Sequence, residues 1–194
     1  MKLLHVDSSI LGGNSASRDL SAAVVARWQA VHPELQVTRR DLDANPLPHL
    51  SGGSLAGADP AETEAAAQAL QEFLDADVVV VGAPMYNFGI PSTLKAWIDR
   101  LAVAGKTFRY TAEGPEGLAG GKKVIVASSR GGYHLDAPSD FQEPYLRFVF
   151  GFFGIDDLEF VRVEGLNVVP DRKPQLLAAA RSRIVEPSHA RLAA

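Results

Sequence analysis

The segment Asp77-Val78-Val79-Val80-Val81-Gly82-Ala83 is a nearly continuous run of apolar, mostly β-branched residues. A strand with one face in water alternates apolar and polar residues, whereas a strand covered on both faces is apolar throughout. The segment therefore predicts the central strand of a parallel sheet, with helices packed on both of its faces.

Strand and helix patterns alternate along the rest of the chain. Short apolar runs predict four further strands, over residues 3–7, 35–38, 123–129 and 158–163. Helical spacing predicts helices over residues 18–31, 59–74, 92–101 and 141–153, and a last helix from about Lys173. The glycine-rich residues 108–121 predict an irregular hairpin, and the proline-bearing residues 43–57 predict a long surface loop.

The second of these helices has a well-marked start. Asp59 is suited to the N-cap, and Pro60 to the first helical position, where its missing N–H costs nothing. We expect Glu62, three residues after the cap, to complete a capping box with Asp59.

Alternating strands and helices are typical of α/β proteins, because parallel strands need crossover connections and helices supply them. We therefore predict a doubly wound, five-stranded parallel sheet with helices on both faces. Counting these five strands alone, the expected order is 2-1-3-4-5. The 194 residues fit a single domain over residues 1–194.

The composition excludes several classes of function. The chain has no cysteine, so disulfides, thiolate metal sites and thiol nucleophiles are absent, and a redox function needs a bound cofactor. A formal net charge of -4 gives no basic face for nucleic acid, and we predict no nucleic-acid partner. We also predict no metal site.

Two observations predict a cytoplasmic protein with no membrane partner. Residues 1–4 begin like a signal peptide, but His5 and Asp7 interrupt the apolar stretch before it reaches the required length. The most apolar segment, residues 148–155, is far shorter than the roughly 20 residues that cross a bilayer.

Three loops follow directly on predicted strands: a first loop (residues 8–17), a second loop (residues 84–89) and a third loop (residues 128–134). In an open parallel sheet, ligands bind at the carboxyl ends of the strands, where the strand order reverses. Loops rich in hydroxyls, aromatics and glycines are therefore expected to converge there on one ligand.

The first loop is suited to a phosphate group. A phosphate at the start of the following helix meets unpaired backbone N–H groups and the positive end of the helix dipole. Ser9, Ser15 and Ser17 add hydroxyl donors, and the loop matches neither G-x-x-x-x-G-K-[ST] nor G-x-G-x-x-G. These features favour the single phosphate of a mononucleotide. The alternative is that the serines only cap the helix.

The second and third loops are suited to a planar heterocycle such as isoalloxazine. Met85, Tyr86 and Phe88 offer an apolar wall, and Asn87 can hydrogen-bond to the polar edge of a ring. The pair Gly131-Gly132 lets the backbone approach the ring closely. The alternatives are that the aromatics belong to the core and that the glycines form a plain turn.

These motifs resemble those of a known family. The pattern S-S-x-x-x-x-x-S-x-S ending at Ser17, P-M-Y-N-F-G-I-P over residues 84–91 and S-R-G-G over residues 129–132 are similar to those of the FMN-dependent NADH-azoreductases. These flavodoxin-like enzymes also act as NAD(P)H:quinone oxidoreductases, and the resemblance covers nearly the whole chain. It implies an FMN site with three parts. The phosphate and ribityl are held by Ser9, Ser15, Ala16 and Ser17, and one side of the ring is covered by Pro84, Met85, Tyr86, Asn87 and Phe88. The pyrimidine edge is bound by Ser129, Arg130, Gly131 and Gly132.

The resemblance also implies the reaction. NADH or NADPH reduces the bound FMN, the oxidised nicotinamide leaves, and two electrons pass to a quinone or an azo compound in the same slot. Tyr133 and His134 are candidate proton donors, and we expect neither to be obligatory, because water can replace them. Residues 51–59 form a shorter loop than is common in the family, at the border of the substrate pocket.

The predicted helix over residues 141–153 carries more aromatic surface than one sheet face needs. Its aromatic residues are Tyr145, Phe148, Phe150, Phe152 and Phe153. The excess predicts a homodimer interface, which the resemblance also implies, with each pocket completed by the partner. The alternative is burial within one chain.

Three other functions are weaker interpretations. A flavodoxin-type electron shuttle uses the same fold and cofactor, but a net charge of -4 is mild for such proteins. A serine hydrolase has partial support from residues 52–56, which nearly match G-x-S-x-G but lack its last glycine and follow no strand-turn-helix elbow. A response-regulator-like module needs an acidic cluster at the sheet edge, and Asp7 has no second carboxylate beside it in sequence.

Overall fold

The computed structural model describes residues 1–187, and residues 188–194 of the predicted domain lie outside the described part. In chain order, the elements are β1 (Lys2–Asp7), α1 (Ala16–Val31), β2 (Gln36–Asp41), α2 (Gly52–Leu55), α3 (Pro60–Asp75), β3 (Val78–Pro84), α4 (Ser92–Leu101), β4 (Phe108–Thr111), β5 (Gly114–Gly117), β6 (Lys123–Ser129), α5 (Gln142–Phe152), β7 (Asp157–Val163) and α6 (Lys173–Arg181). Among residues 1–187, no helix has the length and apolar character to cross a membrane.

Five of the strands form one sheet in the order β2-β1-β3-β6-β7, and every neighbouring pair is parallel. The remaining two, β4 and β5, form the separate antiparallel hairpin that the glycine-rich stretch predicts. Counting the strands of the sheet alone, this is the order 2-1-3-4-5. The predicted flavodoxin-like α/β architecture is confirmed.

The valine run of β3 explains why the sheet has two cores. Side chains alternate between the faces of a strand, so successive valines enter opposite layers. Val79 and Val81 belong to the layer that also holds Trp97 of α4 and Phe150 of α5. Val78 and Val80 lie in the other layer, against residues of α1 and α6. Every residue of β3 is buried, as the apolar run predicts.

Two local predictions need correction. The long surface loop contains a short helix, α2, whose capping box is formed by Ser51 and Ser54. At the start of α3, Asp59 does accept from the backbone N–H groups of the first turn. The Glu62 carboxylate, however, turns to the Arg100 guanidinium at 2.5 Å instead of capping its own helix. A charged partner at this distance outcompetes a backbone N–H for the carboxylate.

The β4–β5 hairpin packs its backbone directly against the end of α5. A Cβ on Gly117 would overlap the backbone of Gly154, and Gly154 itself has a φ of 87°. The Ala119 N–H donates to the Phe153 carbonyl at 2.8 Å. This contact anchors the hairpin on the same layer as α3, α4 and α5.

The strand β2 runs to Asp41, three residues beyond the predicted end, and this extension positions the first loop. The Arg18 guanidinium of α1 donates to both Asp41 carboxylate oxygens at 2.5 and 2.7 Å. Its Nε and Nη2 also donate to the Ser9 carbonyl, at 3.1 and 2.8 Å. The hydrogen bonds from Arg18 lower the pKa of Asp41 to about 2, so the pair stays ionised at neutral pH. One arginine thus ties the first loop to an edge strand.

Candidate functional site

The three predicted loops meet at the carboxyl edge of the sheet, around a cavity of about 230 Å³ that we call the cradle cavity. Its lining residues are Ser9, Leu11, Asn14, Ser15, Ala16, Pro84, Met85, Tyr86, Ser129, Arg130, Gly131, Leu166, Asn167 and Lys173. Most of the predicted site residues are therefore brought together in one place, as the position of the loops after parallel strands requires.

Ser15 of the first loop both caps α1 and faces the cradle cavity. Ser15 is the N-cap, and its Oγ accepts from the Arg18 N–H at 3.3 Å. Ser15 and Ala16 also line the cavity, at the helix end where backbone N–H groups lack partners within the helix. Ser17 is fully buried, and its Oγ lies 3.1 Å from the Ser15 Oγ. Ser17 therefore supports Ser15 rather than lining the cavity.

Tyr86 joins the first loop to the second. Its hydroxyl lies 3.1 Å from the Ser9 Oγ and accepts from the Ile10 N–H at 3.3 Å. The side chain is half-buried and lines the cradle cavity. Tyr86 is thus a wall of the site and not an aromatic of the core.

The second loop turns through a strained pair of residues. Tyr86 and Gly89 exchange two backbone hydrogen bonds, each of 3.0 Å, and the residues between them both have positive φ, 48° at Asn87 and 68° at Phe88. This is the arrangement of a two-residue type I′ turn, which usually uses asparagine or glycine. A phenylalanine at positive φ is strained, and the paired Tyr86–Gly89 hydrogen bonds maintain this conformation, with the Phe88 ring exposed at the tip of the loop.

The Arg130 side chain is directed away from the cradle cavity into the protein. The guanidinium is buried and donates to Asp140, Glu164 and Gln142 at 2.9 to 3.3 Å. The Arg130 backbone N–H donates to the Val163 carbonyl, and the Arg130 carbonyl accepts from the Leu166 N–H. Arg130 therefore fixes the third loop in place, and its positive charge is neutralised within the protein.

The two glycines of the third loop lie close to neighbouring side chains. A Cβ on Gly131 would lie 2.5 Å from the Asn167 Nδ2, and one on Gly132 would lie 2.8 Å from the His134 Nε2. Gly131 lines the cradle cavity, whereas Gly132 does not reach it. A side chain at either position would displace the end of the Asn167 or His134 side chain, so the local space favours glycine.

The two candidate proton donors point in different directions. Tyr133 is largely exposed and lines a separate depression beside β7 and α6. His134 is half-buried, its Nδ1 lies 2.9 Å from the Ser139 Oγ, and its ring packs edge-on against Phe88 with centroids 5.8 Å apart. His134 alone of the two contacts the second loop.

Five residues that line the cradle cavity were not individually predicted: Leu11 and Asn14 of the predicted first loop, and Leu166, Asn167 and Lys173 outside the predicted loops. Leu166 and Asn167 belong to a fourth loop, residues 164–169, which follows β7 and so reaches the same edge. The rule that loops after parallel strands reach the carboxyl edge, which predicted the other three loops, also predicts this fourth loop. Lys173, the first residue of α6, donates from Nζ to the Asn14 carbonyl at 3.1 Å. The cavity therefore has a cationic group as well as neutral donors.

A larger cavity of about 690 Å³, here called the apolar cavity, lies beyond Tyr86. It is lined by Ile10, Tyr86, Asn87, Gly89, Ile90, Pro91, Ser92, Thr93, Lys95, Phe141 and Tyr145. Burial, with the nearby charge of Asp99, raises the pKa of Tyr145 to about 12. The Tyr145 hydroxyl thus stays protonated at neutral pH and is able to donate a hydrogen bond into a mostly apolar space.

The geometry disfavours two of the alternative functions, the serine hydrolase and the response-regulator-like module. Ser54 lies in α2, where its Oγ donates to the Ser51 carbonyl at 2.8 Å within a helix cap, which is no nucleophile elbow. Asp7 is buried and accepts from Ser21 and Arg39, each at 2.9 Å. Within residues 1–187, no group of three or more histidine and carboxylate residues is arranged to hold a metal ion.

Two relatives of similar sequence share one description. The chain is 62% identical over 186 residues to the FMN-dependent NADH:quinone oxidoreductase 1 of Xanthomonas axonopodis pv. citri (strain 306), covering 96% of each protein. It is 62% identical over 189 residues to the FMN-dependent NADH:quinone oxidoreductase of Stenotrophomonas maltophilia (strain K279a), covering 97% of this chain and 96% of that one.

Similar solved structures agree with the fold. The azoreductase from Bacillus anthracis str. Sterne superposes with a TM-score of 0.85 at 34% identity, over 95% of this chain and 96% of that one. The sequence also matches the family described as having a flavodoxin-like fold, over residues 1–186. This match and the 62% identical relatives establish that the chain belongs to the flavodoxin-like fold family.

Proposed function

We propose that this chain is an FMN-dependent NADH:quinone oxidoreductase that also reduces azo compounds. The observation that carries the proposal is the cradle cavity, where the start of α1, the second loop with Tyr86 and Gly131 of the third loop meet at one sheet edge. Relatives with 62% identity are named FMN-dependent NADH:quinone oxidoreductases, and the structurally similar protein with 34% identity is named an azoreductase. When bound, FMN supplies the two-electron transfer between the nicotinamide and the acceptor.

The cradle cavity fits the phosphate end of FMN. Ser9 and Ser15 offer hydroxyls, and the main chain at Ala16 offers the N–H groups and positive dipole of a helix start. Lys173 adds a positive charge. A phosphate dianion is therefore met by charge, dipole and hydroxyl donors together, with Ser17 positioning the Ser15 hydroxyl from behind.

The second and third loops fit the flavin ring. Pro84, Met85 and Tyr86 form one wall of the cradle cavity, and Ser129 and Gly131 line it from the neighbouring strand end. Asn87 and Phe88 stand at the tip of the second loop, where we assign them to the exposed rim of the ring. Arg130 and Gly132 contribute to the site indirectly, because they maintain the geometry of the third loop.

The apolar cavity is suited to the flat aromatic acceptors and to the nicotinamide of NADH. It shares Tyr86 with the cradle cavity and has few charged residues in its lining. Apolar walls with a few placed donors are typical of sites for aromatic small molecules. NADPH remains an alternative donor in the proposal. We further propose that the chain acts as a single cytoplasmic domain.

The first prediction tests this function with purified protein loaded with FMN. We expect one FMN per chain, and anaerobic addition of NADH to bleach the flavin band without any other protein present. Subsequent addition of a quinone restores the band. Flavin that NADH leaves oxidised would identify an electron shuttle instead, and protein that takes up no FMN would refute the proposal altogether.

The second prediction concerns proton supply. His134 contacts the second loop and we propose it as the nearer donor, with Tyr133 the more distant candidate. We expect His134→Ala to lower the turnover number by less than about tenfold, because water replaces a general acid in this reaction. Tyr133→Phe is the matched comparison, with no expected loss. A far larger loss in steady-state assays of His134→Ala would show that a side-chain proton donor is required.

We also propose that the protein is a homodimer, because the aromatic residues of α5 divide into two sets. Phe150 and Phe153 are fully buried in the layer that also holds Trp97. Phe141 and Phe148, by contrast, are 65% and 77% exposed. Part of the predicted aromatic excess is therefore internal to one chain, and part faces outward.

The two outward aromatics, together with the partly buried Tyr145, form a stripe beside the apolar cavity. Phe141, Tyr145 and Phe148 are spaced four and three residues apart, which places them on one side of a helix. Phe141 and Tyr145 also line the apolar cavity. An aromatic stripe that borders a ligand cavity is typical of an interaction surface, and a second copy seated there would complete the pocket.

The third prediction tests this dimer by sedimentation at micromolar concentration. We expect the unsubstituted protein to sediment as a dimer and Phe148→Glu to weaken association, because a carboxylate is costly to bury in an aromatic interface. Val185→Glu is the control, since Val185 is also exposed but follows α6, on the other side of the sheet. A monomeric protein with full quinone reductase activity would overturn the shared-pocket proposal.

A further inference from the structure

Gln142, the first residue of α5, is buried with 0% of its surface exposed. A primary amide is costly to remove from water unless both its donor and its acceptor find partners. Its backbone N–H already donates to Asp140 at 3.2 Å, as part of the helix start. The helix therefore does not need the side chain for capping, and the burial of the amide calls for another explanation.

The two ends of this amide reach two different loops of the site. The Gln142 Oε1 accepts from the Arg130 Nε at 3.3 Å, in the third loop. The Gln142 Nε2 donates to the Ala83 carbonyl at 3.1 Å, immediately before the second loop. One side chain therefore connects the carboxyl ends of β3 and β6.

The residues that Gln142 holds adjoin the walls of the cradle cavity. Ala83 precedes Pro84 and Met85 along the chain, and Arg130 precedes Gly131. A backbone hydrogen bond of 2.8 Å from the Met85 N–H to the Ser129 carbonyl links the same two loops. The separation of the two walls is thus set by the end of the β3–β6 ladder, which pairs Pro84 with Ser129, and by the Gln142 amide beside it.

The chemistry of this position favours glutamine specifically. The Nη atoms of Arg130 are committed to Asp140 and Glu164, which leaves Nε to be satisfied by a further acceptor. The Ala83 carbonyl accepts from the Gln142 amide in addition to its place in the β3–β6 ladder. An ionised glutamate provides only the acceptor, and methionine provides neither function, although its length is similar.

We propose that Gln142 is a positioning residue, which sets the distance between the second and third loops and thereby the placement of the flavin ring relative to NADH. The proposal rests on the proposed function for its consequence in catalysis, while the link between the loops is independent of it. Hydride transfer is sensitive to the placement of the reacting groups, so a small displacement of one wall reduces the rate.

The fourth prediction compares Gln142→Met and Gln142→Glu with a control, Gln71→Met. Gln71 lies on α3, and its amide donates to Asp75 on the same helix. We expect Gln142→Met to change the visible circular dichroism of bound FMN and to slow its reduction by saturating NADH about tenfold. In flavin-free protein, the Met85 amide should exchange its hydrogen faster. Gln142→Glu keeps the acceptor for Arg130, so its values for all three measurements should lie between those of Gln142→Met and those of the unsubstituted protein. The control Gln71→Met should match the unsubstituted protein.

The outcome that would overturn the proposal is Gln142→Met with unchanged circular dichroism, reduction rate and Met85 exchange, even if its melting temperature falls. If Gln142→Met does not fold, Gln142→Glu carries the same three readouts, and unchanged values there overturn the proposal equally. Failure of the unsubstituted protein to bind FMN would refute the proposed function alone, because Met85 exchange in flavin-free protein still tests the link.

Discussion

Val78 to Val81 are each fully buried, two against one helical layer and two against the other, and this double burial constrains the whole molecule. A strand covered on both faces needs helical crossovers, and these make its neighbours parallel. Parallel strands in turn bring all their carboxyl ends to a single edge. The position of the site at that edge is thus a consequence of the central strand and not of any one motif.

A small number of buried and partly buried polar side chains then hold the loops at that edge. Arg18 ties the first loop to β2, and the Tyr86 hydroxyl ties the first loop to the second. Arg130 and Gln142 tie the third loop to the start of α5 and to the second loop. Hydrogen-bonded buried groups of this kind are rigid, because breaking one leaves an unpaired partner away from water. The cradle is therefore formed by the protein before a ligand enters it.

The sequence predicted those features that depend on local pattern. The apolar runs located the strands, so the sheet order and the convergence of three loops could be inferred, and the glycines located the hairpin. The edge strand β2 was predicted too short, because its last residues, Arg39 to Asp41, are charged and have no apolar pattern. The inward direction of Arg130 depends on Asp140 and Glu164, which approach it only in the folded chain. The same holds for Lys173, which α6 brings to Asn14 from far along the chain.

The most direct test of the central claim is a crystal structure of the protein with FMN bound. The account predicts the phosphate against the backbone of Ser15 and Ala16 at the start of α1, and the ring between Met85 and Gly131. A flavin that lies away from this sheet edge, or whose phosphate makes no contact with the start of α1, would contradict it.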